Sequence, residues 1–80
     1  MDIEVEVVGK GVLKLDMEAD DRDTAIEGTL MTIENQLGMQ LHINQIGQLT
    51  IDGELVKPEV IQDIWDMHQR YEANQRNQRS

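Results

Sequence analysis

Four acidic residues have the spacing of the ligands in a calcium-binding loop. Counting Asp16 as the first position, Glu18, Asp20 and Glu27 occupy the third, fifth and twelfth. Flexible carboxylates at these positions can wrap a hard cation such as Ca²⁺. The sixth position requires Gly for a sharp turn, but it is Asp21 here. We therefore expect no specific calcium site, and we interpret these acids as a strand end followed by a helix cap.

Nucleophiles and soft metal ligands are scarce. The chain has no Cys, and its two His residues, His42 and His68, lie far apart in sequence. A Ser–His–Asp triad would have to use Ser80, the C-terminal residue. Gly9-Lys10-Gly11 is too short to cradle a phosphate and opens a strand rather than a helix. We expect no catalytic site, no metal and no cofactor.

The charge of the chain is strongly negative and unevenly spread. The formal net charge is −9, and residues 1–34 hold ten acids against three bases. Phosphate binding needs cationic side chains, so direct contact with nucleic acid or an anionic membrane is unfavourable. A protein partner with a basic surface suits this charge. The alternative is that the acids only keep the protein soluble.

The candidate partner-binding acids lie in the first two predicted strands and at the entrance of the first helix. They are Glu4, Glu6, Asp16, Glu18, Asp20, Asp21, Asp23 and Glu27.

Alternation of apolar and polar residues predicts a β-hairpin at the N-terminus. Residues 2–8 alternate, and residues 12–17 resume the alternation after the glycine-rich turn at residues 9–11. An Asp within residues 20–23 can cap a helix. The apolar stripe of that helix recurs at spacings of four, three and four, and comprises Ile26, Leu30, Ile33 and Leu37. Gly38 is a natural stop, whereas Gly28 costs about 1 kcal/mol inside a helix.

The second half of the chain repeats this pattern. Strand alternation restarts at Leu41 and Ile43, residues 45–48 predict a hairpin turn, and residues 49–51 predict the next strand. Pro58 suits the start of a helix, whose predicted core stripe is Val60, Ile64, Met67 and Tyr71. The similarity of the halves fits either a duplicated ββα unit or one architecture used twice without duplication.

Three further side chains widen the apolar sector of the second helix. Ile61, Trp65 and His68 lie beside its predicted core stripe, at about 100° per residue. Trp is favoured at binding hot spots, and a short chain gains stability by association. These residues either complete a core that lacks Phe or form an interface between copies of the chain. We expect self-association, as a homodimer, through these three residues.

Together these patterns predict one α+β domain over residues 1–73, with a frayed polar tail at residues 74–80. The predicted fold is a four-stranded antiparallel sheet in the order ββαββα with both helices on one face. The opening order of hairpin, acidic cap, helix and strand resembles a ubiquitin-like β-grasp domain over residues 1–51, which implies a β-grasp-like fold as the alternative. The long closing helix and the lack of a terminal Gly-Gly depart from that family, so no conjugation role follows.

The function that we expect is that of a small, acidic, non-catalytic protein that binds and inhibits or regulates a protein partner. In size and charge the chain resembles the small acidic inhibitors of DNA-handling enzymes from phages and mobile elements, which implies mimicry of nucleic acid. The alternative is a homo-oligomeric structural or adaptor protein that associates through its C-terminal helix. The acidic N-terminus and the lack of an apolar run of about 18 residues predict a cytoplasmic protein.

Overall fold

The chain folds into a four-stranded antiparallel sheet that carries two helices on one face. The computed structural model describes the backbone of residues 1–78 and the side chains of residues 1–74. The elements are β1 (Asp2–Val7), β2 (Gly11–Asp16), α1 (Arg22–Leu37), a 3₁₀ helix (Ile43–Gln45), β3 (Ile46–Ile51), β4 (Glu54–Leu55) and α2 (Pro58–Gln78). The strand order is β2-β1-β3-β4. The predicted α+β class and the order ββαββα are confirmed.

Strand β1 lies between β2 and β3, and its side chains point alternately to the two faces of the sheet. Ile3, Val5 and Val7 are buried, while the residues between them are exposed. β1 pairs with β2 through the predicted hairpin and with β3 on its other side. Gly9 and Gly11 have φ values of 81° and 102°, a conformation that Gly adopts without steric cost. The predicted N-terminal hairpin is therefore confirmed.

Helix α1 begins and ends where the sequence indicates. The Asp21 carboxylate caps its first turn, and Gly38 ends it in the left-handed conformation with φ 69°. Ile26, Leu30 and Ile33 are buried, as predicted. These residues, the buried face of the sheet, Leu41 and the α2 residues Ile61, Ile64 and Trp65 make one core.

The second hairpin lies further along the chain than predicted. Residues 41–43 form no strand, residues 43–45 form a 3₁₀ helix, and β3 begins at residue 46. The turn is at Asp52-Gly53, where both residues have positive φ, as a tight two-residue hairpin requires. The predicted turn at residues 45–48 is wrong. The two halves are therefore not equivalent ββα units, and of the two predicted folds the chain adopts the antiparallel one.

Helix α2 is rotated by about one residue from its predicted orientation. The residues that face the core are Ile61, Ile64, Trp65 and His68. Three members of the predicted core stripe are exposed instead, namely Val60, Met67 and Tyr71. Adjacent residues lie about 100° apart around a helix, so a shift of one position turns most of the predicted stripe out of the core, while Ile64 remains at its edge.

The C-terminal segment is helical further than expected. α2 continues to Gln78, where the sequence predicted a frayed tail from residue 74. Residues 79 and 80 of that predicted tail lie outside the described residues. Among the helices that the structure describes, none is long and apolar enough to cross a membrane.

Candidate functional site

Carboxylates from four segments of the chain meet at one end of the sheet, which we call the acidic end. Asp2 pairs with Asp16 across β1 and β2, and its backbone N–H donates to Asp52 Oδ1 at 2.8 Å. An ion pair between Arg22 and Glu54 joins the start of α1 to β4. The acidic end comprises Asp2, Asp16, Glu18, Asp20, Asp21, Asp23, Asp52 and Glu54, all of them exposed.

Few positive charges offset this end. The N-terminal ammonium of Met1 lies 3.6 Å from Asp16 Oδ1, and it also donates to the carbonyl oxygen of Met17 at 2.9 Å. Arg22 pairs with Glu54. The remaining carboxylates of the acidic end have no ion-pair partner among the residues whose side chains are described. The end therefore carries a large uncompensated negative charge at neutral pH.

Asp21 differs from its neighbours because it is part of the helix start. Its Oδ1 accepts a hydrogen bond of 2.8 Å from the backbone N–H of Thr24. The backbone N–H of Thr24, and then its side chain, hold the pKa of the Asp21 carboxyl below its usual range. Asp21 therefore stabilises α1 as well as adding charge.

The open face of the sheet is acidic but mixed. Glu4 lies 3.7 Å from the ammonium of Lys14, its cross-strand neighbour. The Glu6 carboxylate lies over Gly47, where an added Cβ would collide with it. His42, which lies between Leu41 and Ile43 of the predicted third strand, precedes the 3₁₀ helix and belongs to no strand. Exposed apolar side chains, Val12 and Leu55, lie opposite outward-facing residues of the neighbouring strands.

Glu27 does not belong with the other predicted acids. It lies in α1 with its Oε1 3.7 Å from His68 Nδ1, where it faces α2. The four acids that have the spacing of a calcium-binding loop therefore do not surround one point. Within the described part of the chain, no group of three His, Asp or Glu residues is arranged to hold a metal ion.

Sequence reasoning missed three members of the acidic end. Asp2 was not included, and Asp52 and Glu54 lie in a segment that is nearly neutral in sequence. The signal that could have found them is the Asp52-Gly53 turn, because a turn there ends β3 beside Asp2, at the start of β1. The fold thus concentrates charge that the sequence distributes.

Ile61, Trp65 and His68, the predicted association surface, lie in the core. Trp65 is 3% exposed, and its ring stacks on that of His68 with centroids 5.0 Å apart. His68 Nε2 lies 3.0 Å from Glu72 Oε1. In this conformation the three side chains hold α2 to the rest of the chain, and they offer little surface to a partner.

An open cleft of about 520 Å³ lies between the C-terminal end of α1 and the second half of α2. Its ionisable lining residues are Glu34, His68 and Glu72. Glu34 Oε2 accepts the backbone N–H of Leu41 at 2.9 Å, and Glu72 contacts His68. Glu34, His68 and Glu72 already have partners within the chain. The cleft therefore gives weaker support for acid–base chemistry than the acidic end gives for binding.

Comparison with protein families, with curated proteins and with solved structures finds no match to this chain.

Proposed function

We propose that this chain is a small non-catalytic protein that binds and inhibits or regulates a protein partner with a basic surface, and that the acidic end is the contact surface. The observation that carries the proposal is the convergence of eight exposed carboxylates from four segments with only two cations among them. Such a concentration costs electrostatic repulsion in the free protein. A basic partner relieves that repulsion on binding.

The partner class that fits best is a nucleic-acid-binding protein. Asp2, Glu4 and Glu6 project from the same side of β1, at intervals of about 7 Å for alternate residues of a strand. Asp16 of the acidic end lies directly across from Asp2, at the end of this row. A regular array of anions on a rigid support resembles what a phosphate-binding groove recognises. The chain would compete with nucleic acid for that groove.

The test begins with the immobilised chain in an extract of its native host. A captured partner is then challenged with a duplex DNA oligonucleotide. We expect the duplex to release the partner in proportion to its concentration. Retention of the partner at saturating duplex would reject nucleic-acid mimicry. The variants described below would then test whether the acidic end is the contact surface.

The decisive variant is Asp20→Asn combined with Asp23→Asn. The carboxylates of both residues are exposed and have no hydrogen bond or ion pair with another described residue, whereas Asp21 caps α1. Loss of two charges should slow association with the partner roughly tenfold at low salt, with a smaller effect at high salt.

The matched control is Glu59→Gln combined with Asp66→Asn, which removes the same charge from α2, away from the acidic end. It should bind at close to the wild-type rate. Equal slowing by both pairs would mean that only net charge matters. Equal rates for both pairs and the wild type, with no salt dependence, would reject the acidic end as the contact surface.

A further inference from the structure

One flank of α2, next to its core-facing side, carries three apolar side chains that are exposed. Met67 is 66% exposed, Tyr71 is 62% exposed and Val60 is 38% exposed. Their spacings of seven and four residues place them on one side of the helix. Single exposed apolar residues are ordinary, but Met67 and Tyr71 lie one turn apart with Val60 two turns earlier, and a row of this kind along one helix indicates an interaction surface.

The second half of α2 has little support from its own chain. His68 is the last buried residue of the helix among those whose side chains are described. From Gln69 to Asn74 every side chain is half-buried or exposed, although the backbone stays helical to Gln78. A helical segment with few buried side chains gains little stability from tertiary packing. A second surface against this half of α2 would stabilise it.

The two halves of α2 have opposite net charge, so two copies of the helix are complementary when they run antiparallel. The first half carries Glu59, Asp63 and Asp66 without a base, and the second half carries Arg70, Glu72 and Arg76. Asp63 and Arg70 are seven residues apart, so they lie on the same flank of the apolar stripe. Both are exposed, and neither forms an ion pair with another described side chain.

We propose that α2 is an interface between two copies of this chain, paired antiparallel about a two-fold axis close to Met67. Residues on the same flank face each other in an antiparallel helix pair. Asp63 then faces Arg70 of the partner subunit, and the symmetry gives this ion pair twice. In a parallel pair the two copies of this flank lie on opposite sides of the interface, so Asp63 and Arg70 could not form this ion pair. The charge pattern therefore selects a second copy in one orientation.

The interface is modest in size. One helix pair buries less surface than the roughly 1,200–2,000 Å² of standard stable interfaces, so we expect a dissociation constant on the order of micromolar. Sedimentation equilibrium of the full chain from low to high micromolar concentration should show a monomer–dimer equilibrium. A monomer across this whole range would overturn the proposal.

The first variant places a charge at the two-fold axis. Met67→Glu brings two like charges together and should weaken dimerisation at least tenfold. The matched control is Met39→Glu, because Met39 is 63% exposed but lies beyond the end of α1, off the stripe. The control should dimerise like the wild type. An undiminished dimer in the Met67→Glu variant, or equal loss in the control, would overturn the proposal.

Charge reversal tests the orientation as well as the surface. Asp63→Arg alone and Arg70→Asp alone each replace both ion pairs by repulsive pairs, so each variant should dimerise at least tenfold more weakly. An equimolar mixture of the two variants should recover the dimer, because every contact then joins opposite charges. The double variant should recover it too. Failure of both recoveries would exclude these contacts and with them the antiparallel pair.

Cross-linking gives an independent readout of orientation. The chain has no Cys, so one introduced Cys reports without background. A Met67→Cys variant should cross-link to its copy through a short bis-maleimide, whereas a Val60→Cys variant should not, since antiparallel pairing separates the two copies of position 60. Efficient cross-linking at position 60 would show a parallel pair and overturn the proposal.

Discussion

The indole N–H of Trp65 donates a hydrogen bond of 3.2 Å to the backbone carbonyl of Leu41. Both residues are buried, and they join α2 to the segment between α1 and β3. The backbone N–H of Leu41 also donates a hydrogen bond to the Glu34 carboxylate. This segment is not part of the sheet, so these two bonds satisfy backbone groups that a strand ladder would otherwise satisfy.

Replacing Trp65 by Phe should therefore lower the free energy of unfolding by more than the smaller buried area of the ring alone would. The variant keeps an aromatic ring but leaves the Leu41 carbonyl without its buried donor, which costs about 1–3 kcal/mol. Urea unfolding followed by circular dichroism measures the free energy of unfolding without relying on Trp fluorescence. A loss below about 0.5 kcal/mol would mean that water reaches the carbonyl and replaces the indole.

The two carboxylates beside His68 should contribute unequally. Glu72 Oε1 lies 3.0 Å from Nε2, within hydrogen-bond range, whereas Glu27 Oε1 lies 3.7 Å from Nδ1. Both carboxylates are about half exposed, so solvent weakens each contact. We expect Glu72→Ala to lower the free energy of unfolding by about 0.5–1 kcal/mol and Glu27→Ala by less. The reverse order in urea titrations would contradict this geometry.

The space beside Gly28 is filled by the side chain of Met17, which the sequence does not reveal. An added Cβ would come within 2.7 Å of Met17 Sδ, the end of a flexible side chain that packs partly against the core. Gly28→Ala gains helix propensity of about 1 kcal/mol but displaces Met17. We expect the substitution to be more stabilising in a Met17→Ala background than in the wild type, as a double-mutant cycle would measure. Equal effects in both backgrounds would show that Met17 moves aside without cost.

The first half of the fold could be predicted because its local signals agree. The alternation of β1, the Asp cap of α1 and the stop at Gly38 all indicate the same boundaries. The second half contains two conflicts. Residues 41–51 continue a strand alternation across a segment that is partly 3₁₀ helix, because Leu41 packs beneath α2 rather than in the sheet.

The orientation of α2 could not be predicted from periodicity alone. Val60, Ile64 and Met67 are spaced by four and three residues, and so are Ile61, Trp65 and His68, one position further along. Burial of the indole with a partner for its N–H decides between them, and that partner is a backbone carbonyl distant in sequence. The acidic end shows the same limit, because pairing across strands rather than nearness in sequence gathers its carboxylates.

Asp52 should tolerate Asn better than Ala. It adopts φ 50° in the β3–β4 turn, and its Oδ1 accepts the Asp2 N–H at 2.8 Å. Asn suits positive φ and can accept the same bond, whereas Ala can do neither. We expect Asp52→Asn to match or exceed the wild type in free energy of unfolding, and Asp52→Ala to lose about 1–2 kcal/mol. Equal stability of the two variants would mean that the turn is held by the rest of the sheet.

The cap at Asp21 should make stability depend on pH in a defined direction. The bonds from Thr24 hold the pKa of Asp21 below its ordinary value of 3.8 in the folded chain. A lowered pKa means that the folded state favours the carboxylate, so this contribution is complete above about pH 4 and is lost as the pH falls through the folded value. Asp21→Asn provides an acceptor that does not titrate in this range.

The quantity to measure is the difference in Tm between the wild type and the Asp21→Asn variant, taken from pH 7 down to pH 2. Carboxylates common to both chains cancel in this difference. We expect the wild type to be the more stable at neutral pH, and its advantage to shrink or reverse below pH 4. Asp20→Asn, whose carboxylate makes no cap bond, should show a flatter difference over the same range. A constant difference for Asp21→Asn across the whole range would mean that charge adds nothing to the cap, and that an uncharged oxygen serves the Thr24 N–H equally well.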